Sequence, residues 1–99
     1  MDGKRKTKKK LPEEEIALLK IFGADLAAER RAQDKTQMDI AIPMNSHPQY
    51  ISQVENEGME PGLIKFLYLA AALEKNPEDL LKNTWPAFLK YYKKMQKKG

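Results

Sequence analysis

The sequence predicts an all-α protein: five helices and an additional amphipathic helix at the C-terminus. Three observations carry that class. Ile16, Leu19, Phe22, Gly23, Leu26 and Ala27 recur at helical spacing and form one apolar face. The stretch from Thr36 to Asn56 reads as two short helices joined by a tight turn. Asn76-Pro77-Glu78-Asp79 is a helix start, with a capping residue, a proline and two acids in order. Beyond it, Trp85, Phe88, Leu89, Tyr92 and Met95 form another stripe at helical spacing.

Ninety-nine residues, 41% of them apolar, allow one small domain with a single modest core. There is no cysteine, which excludes a disulfide framework and a thiolate metal site, and the one histidine, His47, excludes a multi-histidine site. No apolar run approaches the ~20 residues that span a bilayer. No apolar segment follows the basic N-terminus as a secretory signal would require. The expectation is a soluble cytoplasmic protein. No nucleophile–base pair, glycine-rich phosphate loop or metal cluster is visible, so the chain is read as no enzyme, with no cofactor, no small-molecule ligand and no membrane partner.

Charge is segregated. Residues 1–10 carry a net +5, residues 90–99 a net +5, and residues 11–89 a net −6, which together make the formal +4. Attraction to a polyanion therefore belongs to the two ends. Residues 1–11 read as a basic flexible arm: either a solvated, solubilising tail or, through Lys4, Arg5, Lys6, Lys8, Lys9 and Lys10, an arm that clasps DNA without regard to sequence.

Helix 1 is expected from Pro12, with Glu13, Glu14 and Glu15 in the turn where negative charge offsets the helix dipole. Asp34-Lys35 ends it, and Arg30 and Arg31 are read as surface charges within reach of phosphate. Thr36 caps helix 2, whose apolar face is Ile40, Ala41 and Met44; Pro43 should shorten or kink it. Asn45 tolerates the left-handed conformation of a sharp turn. His47-Pro48 opens helix 3, with Ile51 and Val54 turned to the core and Gln49, Tyr50, Ser52, Gln53 and Asn56 on other faces. Helix 4 spans roughly 63–74, with Leu63, Phe66, Leu67, Leu69, Ala70 and Leu73 inward and Ile64, Tyr68 and Ala71 elsewhere. Helix 5 is short, ending near Lys82.

The stretch Thr36–Asn56 resembles the phage-repressor (Xre/Cro-type, lambda-repressor-like) helix-turn-helix family. Thr36, Gln37, Ile40, Ala41, Tyr50, Ile51, Ser52, Val54, Glu55 and Asn56 match the family line without a gap. The register continues through Pro61, Leu63, Leu67, Ala70, Leu73, Pro77, Leu80 and Leu81, so the likeness covers about Ile16 to Leu81. It implies a helix-turn-helix domain over 12–82 with its recognition helix at about 47–56. It also implies a transcriptional regulator, repressor or controller, that binds a near-palindromic double-stranded DNA operator as a homodimer. Gln49 and Gln53, four residues apart and on one face, are the expected base readers, because glutamine bonds adenine N6 and N7. Pro48 stands where relatives often place a base-reading Gln or Arg; it has no side-chain donor but can touch a thymine methyl. Thr36, Gln37, His47, Tyr50 and Asn56 are the expected backbone contacts, with His47 capping its helix. Glu57 and Glu60 depart from the family by adding negative charge beside the phosphate path.

Residues 83–99 form the additional helix. Trp85, Phe88, Leu89 and Tyr92 suit a dimer interface. The competing readings are that this helix packs on its own domain, covering Ile64 and Tyr68, or lies on a membrane surface. The alternative for the whole chain is a protein-interaction module, an antitoxin or anti-repressor partner, supported by the acidic middle.

Overall fold

A computed structural model describes residues 11–98, and its helices are α1 (Glu13–Ala32), α2 (Gln37–Ala41), α3 (Pro48–Asn56), α4 (Leu63–Ala72), α5 (Pro77–Leu80) and α6 (Thr84–Lys98). The expected all-α class holds, as five helices with a sixth added. The arm residues Lys4 to Lys10 lie outside the described residues.

Each boundary has a local cause. α1 follows Pro12 and carries Glu13, Glu14 and Glu15 in its first turn and Arg30 and Arg31 in its last, the charge order a helix dipole favours. At the start of α2 a capping box forms: the Asp39 N–H donates to Thr36 Oγ1 at 3.0 Å, and the Thr36 N–H donates to Asp39 Oδ2 at 2.8 Å. Pro43 ends α2 early, and Ile42–Met44 tighten into a 3₁₀ turn. Three helices stop by one device. Asp34, Asn45 and Glu74 take positive φ of 55°, 53° and 57°. In each case the next N–H donates back across the turn at 3.0 Å: Lys35 to Arg30 O, Ser46 to Ala41 O and Lys75 to Ala70 O.

The capping box gives a pH prediction. The bond from the Thr36 N–H, then that with the Thr36 hydroxyl, holds the Asp39 carboxyl below its usual range. A depressed folded value means that the cap stabilises above the unfolded value, ~3.9. That contribution is lost as pH falls through the lower, folded value. Asp39 should titrate at lower pH than free aspartate in carboxyl-resolved NMR, and Asp39→Asn should remove that part of the acid limb.

The core is Phe22, Leu26, Ile40, Met44, Ile51, Val54, Leu69, Leu73 and Leu80 with Ala41 and Ala70 between them. Two expectations change. Leu63 and Leu67 are exposed rather than inward. α4 is apolar over most of its circumference, so spacing alone does not select the arc that meets the core; Leu69, Ala70 and Leu73 fill it. Nor does α6 cover Ile64 and Tyr68, which stay exposed. It runs on from α5 through a turn in which the Trp85 N–H donates to Leu81 O at 2.9 Å, and that turn lays it along α1. There Asn83 Nδ2 donates to both Asp25 oxygens at 2.9 and 3.0 Å, Tyr91 donates to Glu15 Oε2 at 2.8 Å, and Lys94 bridges to Glu14.

Candidate nucleic-acid interface

The second helix of the pair, α3, is held on one side and open on the other. Ile51 and Val54 are fully buried, while Gln49 is exposed and Gln53 half-buried. Two features fix this helix against α1. The first is a close crossing at Gly23. A Cβ there would lie 2.3 Å from Val54 O and 2.6 Å from Glu55 O, so only a bare Cα lets the backbones approach this far. Just past α3, Gly58 takes φ +71° and is buried over Ile16.

The second feature is a buried ion pair. Arg30 Nε and Nη2 donate to the two Glu55 oxygens at 2.7 and 3.0 Å, the bidentate fork that suits guanidinium and carboxylate. Arg30 Nη1 donates to Lys35 O at 2.8 Å, and Gln37 Nε2 donates to Glu55 Oε1 at 3.1 Å. One network thus joins the end of α1, the start of α2 and the end of α3. The Glu55 hydrogen bond outweighs desolvation and holds the Arg30 guanidinium above even its usual range. Sequence reasoning placed Arg30 at the surface; it is buried instead. The available signal was its position: Arg30 continues the Phe22–Leu26 stripe by one more turn, and a cation on a core stripe needs a buried acid.

The other expected contacts divide by how their side chains are engaged. The Thr36 hydroxyl serves its capping box, and Gln37 is half-buried with its amide on Glu55. Pro48 is half-buried at the first position of α3. His47 occupies the N-cap and is exposed, but its side chain makes no capping bond; the helix opens on proline, which has no N–H to cap. Asn56 is exposed and donates to Ser52 O at 3.1 Å. Tyr50 is placed differently from the expectation of a backbone contact. It packs against the core, its hydroxyl is buried without a partner, and Lys65 Nζ lies 4.9 Å above its ring. Burial pushes its phenol up, as expected of a side chain used for packing.

α3 carries no charged side chain except the buried Glu55, so Gln49, Ser52, Gln53 and Asn56 make an uncharged hydrogen-bonding face. Glu57 and Glu60 stand exposed beyond its end. On α6, Trp85, Phe88 and Tyr92 are exposed and Leu89 is half-buried. Among the described residues no group of three acids, histidines or cysteines is placed to hold a metal ion, and no helix is long and apolar enough to cross a membrane.

No family model matches this chain, and no curated protein does. Among solved structures it is similar to the restriction-modification controller protein C.AhdI from Aeromonas hydrophila. The two share 31% identity and a TM-score of 0.62 over 65% of this chain and 97% of that one.

Proposed function

The chain belongs to the phage-repressor-like helix-turn-helix family, and from that premise we propose that it is a transcriptional regulator reading double-stranded DNA through α3. The observation that carries this reading is the two-sided construction of α3. Its inner face is locked by the Gly23 crossing and the Arg30–Glu55 pair, and its outer face presents Gln49 and Gln53. A polar edge held on a rigid support is what base recognition in a major groove requires.

In this reading Gln49 and Gln53 contact base edges and Pro48 packs against a thymine methyl. His47 and Asn56, both exposed, lie where the phosphate backbone passes. Thr36 and Gln37 position the pair of helices, and Tyr50 wedges α3 against the core. The basic arm and the C-terminal lysines supply attraction to any duplex. Two copies pair through Trp85, Phe88, Leu89 and Tyr92 of α6, so that two α3 helices enter successive major grooves about 34 Å apart on a near-palindromic site. C.AhdI is a controller protein, which accords with a binding role rather than a catalytic one.

Selection from randomised duplexes, followed by binding titrations across salt concentrations, tests the reading. Gln49→Ala should reduce discrimination against the wrong base by roughly 1–3 kcal/mol, about 5- to 150-fold, and leave the salt slope unchanged. Removing residues 1–10 should weaken binding to all sequences and flatten the slope by ~0.9 for each phosphate that the arm no longer neutralises. No discrete site at physiological salt would refute the DNA reading and favour the protein-interaction alternative, which the net −6 of residues 11–89 supports.

A further inference from the structure

α6 leaves two complementary shapes side by side on one face. One is a ridge: Trp85 is 58% exposed, Tyr92 49%, Met95 48% and Phe88 37%, in a molecule where the buried core is complete without them. Their rings stack along the helix, Trp85 on Phe88 at 6.0 Å and Phe88 on Tyr92 at 6.2 Å between centroids, so the ridge is preformed. The other is a groove of about 380 Å³ between α6 and the first half of α1. Leu11, Leu18, Leu19 and Leu81 line it together with Trp85 and Phe88, and Glu15 and Glu60 stand among them. It continues past Glu60 into a hollow of about 270 Å³ beside Leu63 and Phe66.

We propose that the occupant of this groove is the aromatic ridge of a second copy, exchanged reciprocally: each chain's Trp85–Tyr92 ridge seats in its partner's Leu11–Leu19 groove. This rests on the homodimer reading above and names the surface and geometry of that pair. A ridge and a groove adjacent on one face are self-complementary, which is the requirement of a twofold contact. The size agrees. At about 200 Å² per large side chain, the open parts of the four ridge residues amount to on the order of 400 Å². The groove walls outside the ridge, Leu11, Leu18, Leu19 and Leu81, add to this, toward the ~800 Å² per partner of a standard interface. The charges agree as well: the groove includes Glu15 and Glu60, and the outer flank of the ridge carries Lys93.

Trp85 is the chain's single tryptophan, so its emission reports the contact directly. In sedimentation and fluorescence dilution series of the full chain, Trp85 emission should shift to the blue as the dimer forms. Tyr92→Asp, which spoils the ridge outside the groove and keeps Trp85 as reporter, and Leu11→Asp, which spoils the groove, should each weaken association at least tenfold with the helical circular dichroism retained. Mixed together, the two variants should associate more tightly than either alone, because one intact ridge then meets one intact groove. A dimer whose emission does not shift, whose two variants pair normally, and which Tyr68→Asp on the exposed face of α4 dissociates would overturn the exchange and leave the homodimer standing. A chain that stays monomeric at all concentrations would overturn the homodimer itself. Saturable blue-shifting of Trp85 in the monomer by a small apolar cation such as tetraphenylphosphonium, with no self-association, would assign the groove to a ligand and likewise overturn the proposal.

Discussion

Glu55→Ala is expected to destabilise the protein by about 3–5 kcal/mol, the cost of leaving one partner of a buried ion pair alone. Glu55 is 4% exposed and Arg30 8%, so water reaches neither group freely. The effect is compounded because the same carboxylate also accepts from Gln37. Against a total stability of about 5–15 kcal/mol, that is a reduction of a third or more in most cases. The melting temperature should fall by at least about 12 °C. The double variant Arg30→Met with Glu55→Leu should recover most of the stability, since an apolar pair of similar volume pays no desolvation. Thermal melts of the parent, Arg30→Met, Glu55→Leu and the double variant measure the coupling. A single-variant effect below about 1 kcal/mol would mean that the pair does not hold α3 in place.

Gly23→Ala sets two effects against each other. Helix propensity favours alanine inside α1 by about 1 kcal/mol. Packing opposes it, because the added methyl would sit 2.3 Å from one carbonyl oxygen of α3 and 2.6 Å from the next. Those atoms are backbone and cannot rotate aside, so α3 must shift or the crossing must open. Overpacking of this kind costs about 1–3 kcal/mol and sometimes more, and here the upper end is expected to win over propensity. Urea unfolding should show a lower midpoint with an unchanged slope. Specific DNA binding should fall further than binding to random duplex, because the displaced element is the one that carries Gln49 and Gln53. A variant as stable as the parent would show that the crossing tolerates a side chain.

Local chemistry was the legible part of this fold. Asn45 was readable as the left-handed turn, Pro43 as the residue that shortens α2, and Asn76-Pro77 as the start of α5, because each acts through its own backbone. The outward face of α3 was legible from the spacing of Ile51 and Val54, which fixes the opposite side. What periodicity left open was pairing at a distance. Arg30 and Glu55 are 25 residues apart, and neither residue alone announces the other. The arc of α4 that meets the core was ambiguous because apolar residues surround it. The direction of α6 depended on one turn, Leu81 to Trp85, and on Asp25 and Glu15 of α1, which no spacing within α6 encodes. At the interface, Tyr50 shows the same limit: its register matched a surface role, and only the packing of α3 on the core decided where its hydroxyl went.

The three left-handed helix stops contain no glycine, and each is closed by a backbone bond across the turn. The links from α1 to α2, α2 to α3 and α4 to α5 therefore have little play. If two copies pair through α6 as proposed, two α3 helices would stand on frames with little give. A duplex whose half-sites lie slightly too close or too far would then have to bend or overtwist to fit, and the stiffness of its central, untouched base steps would become part of what is recognised.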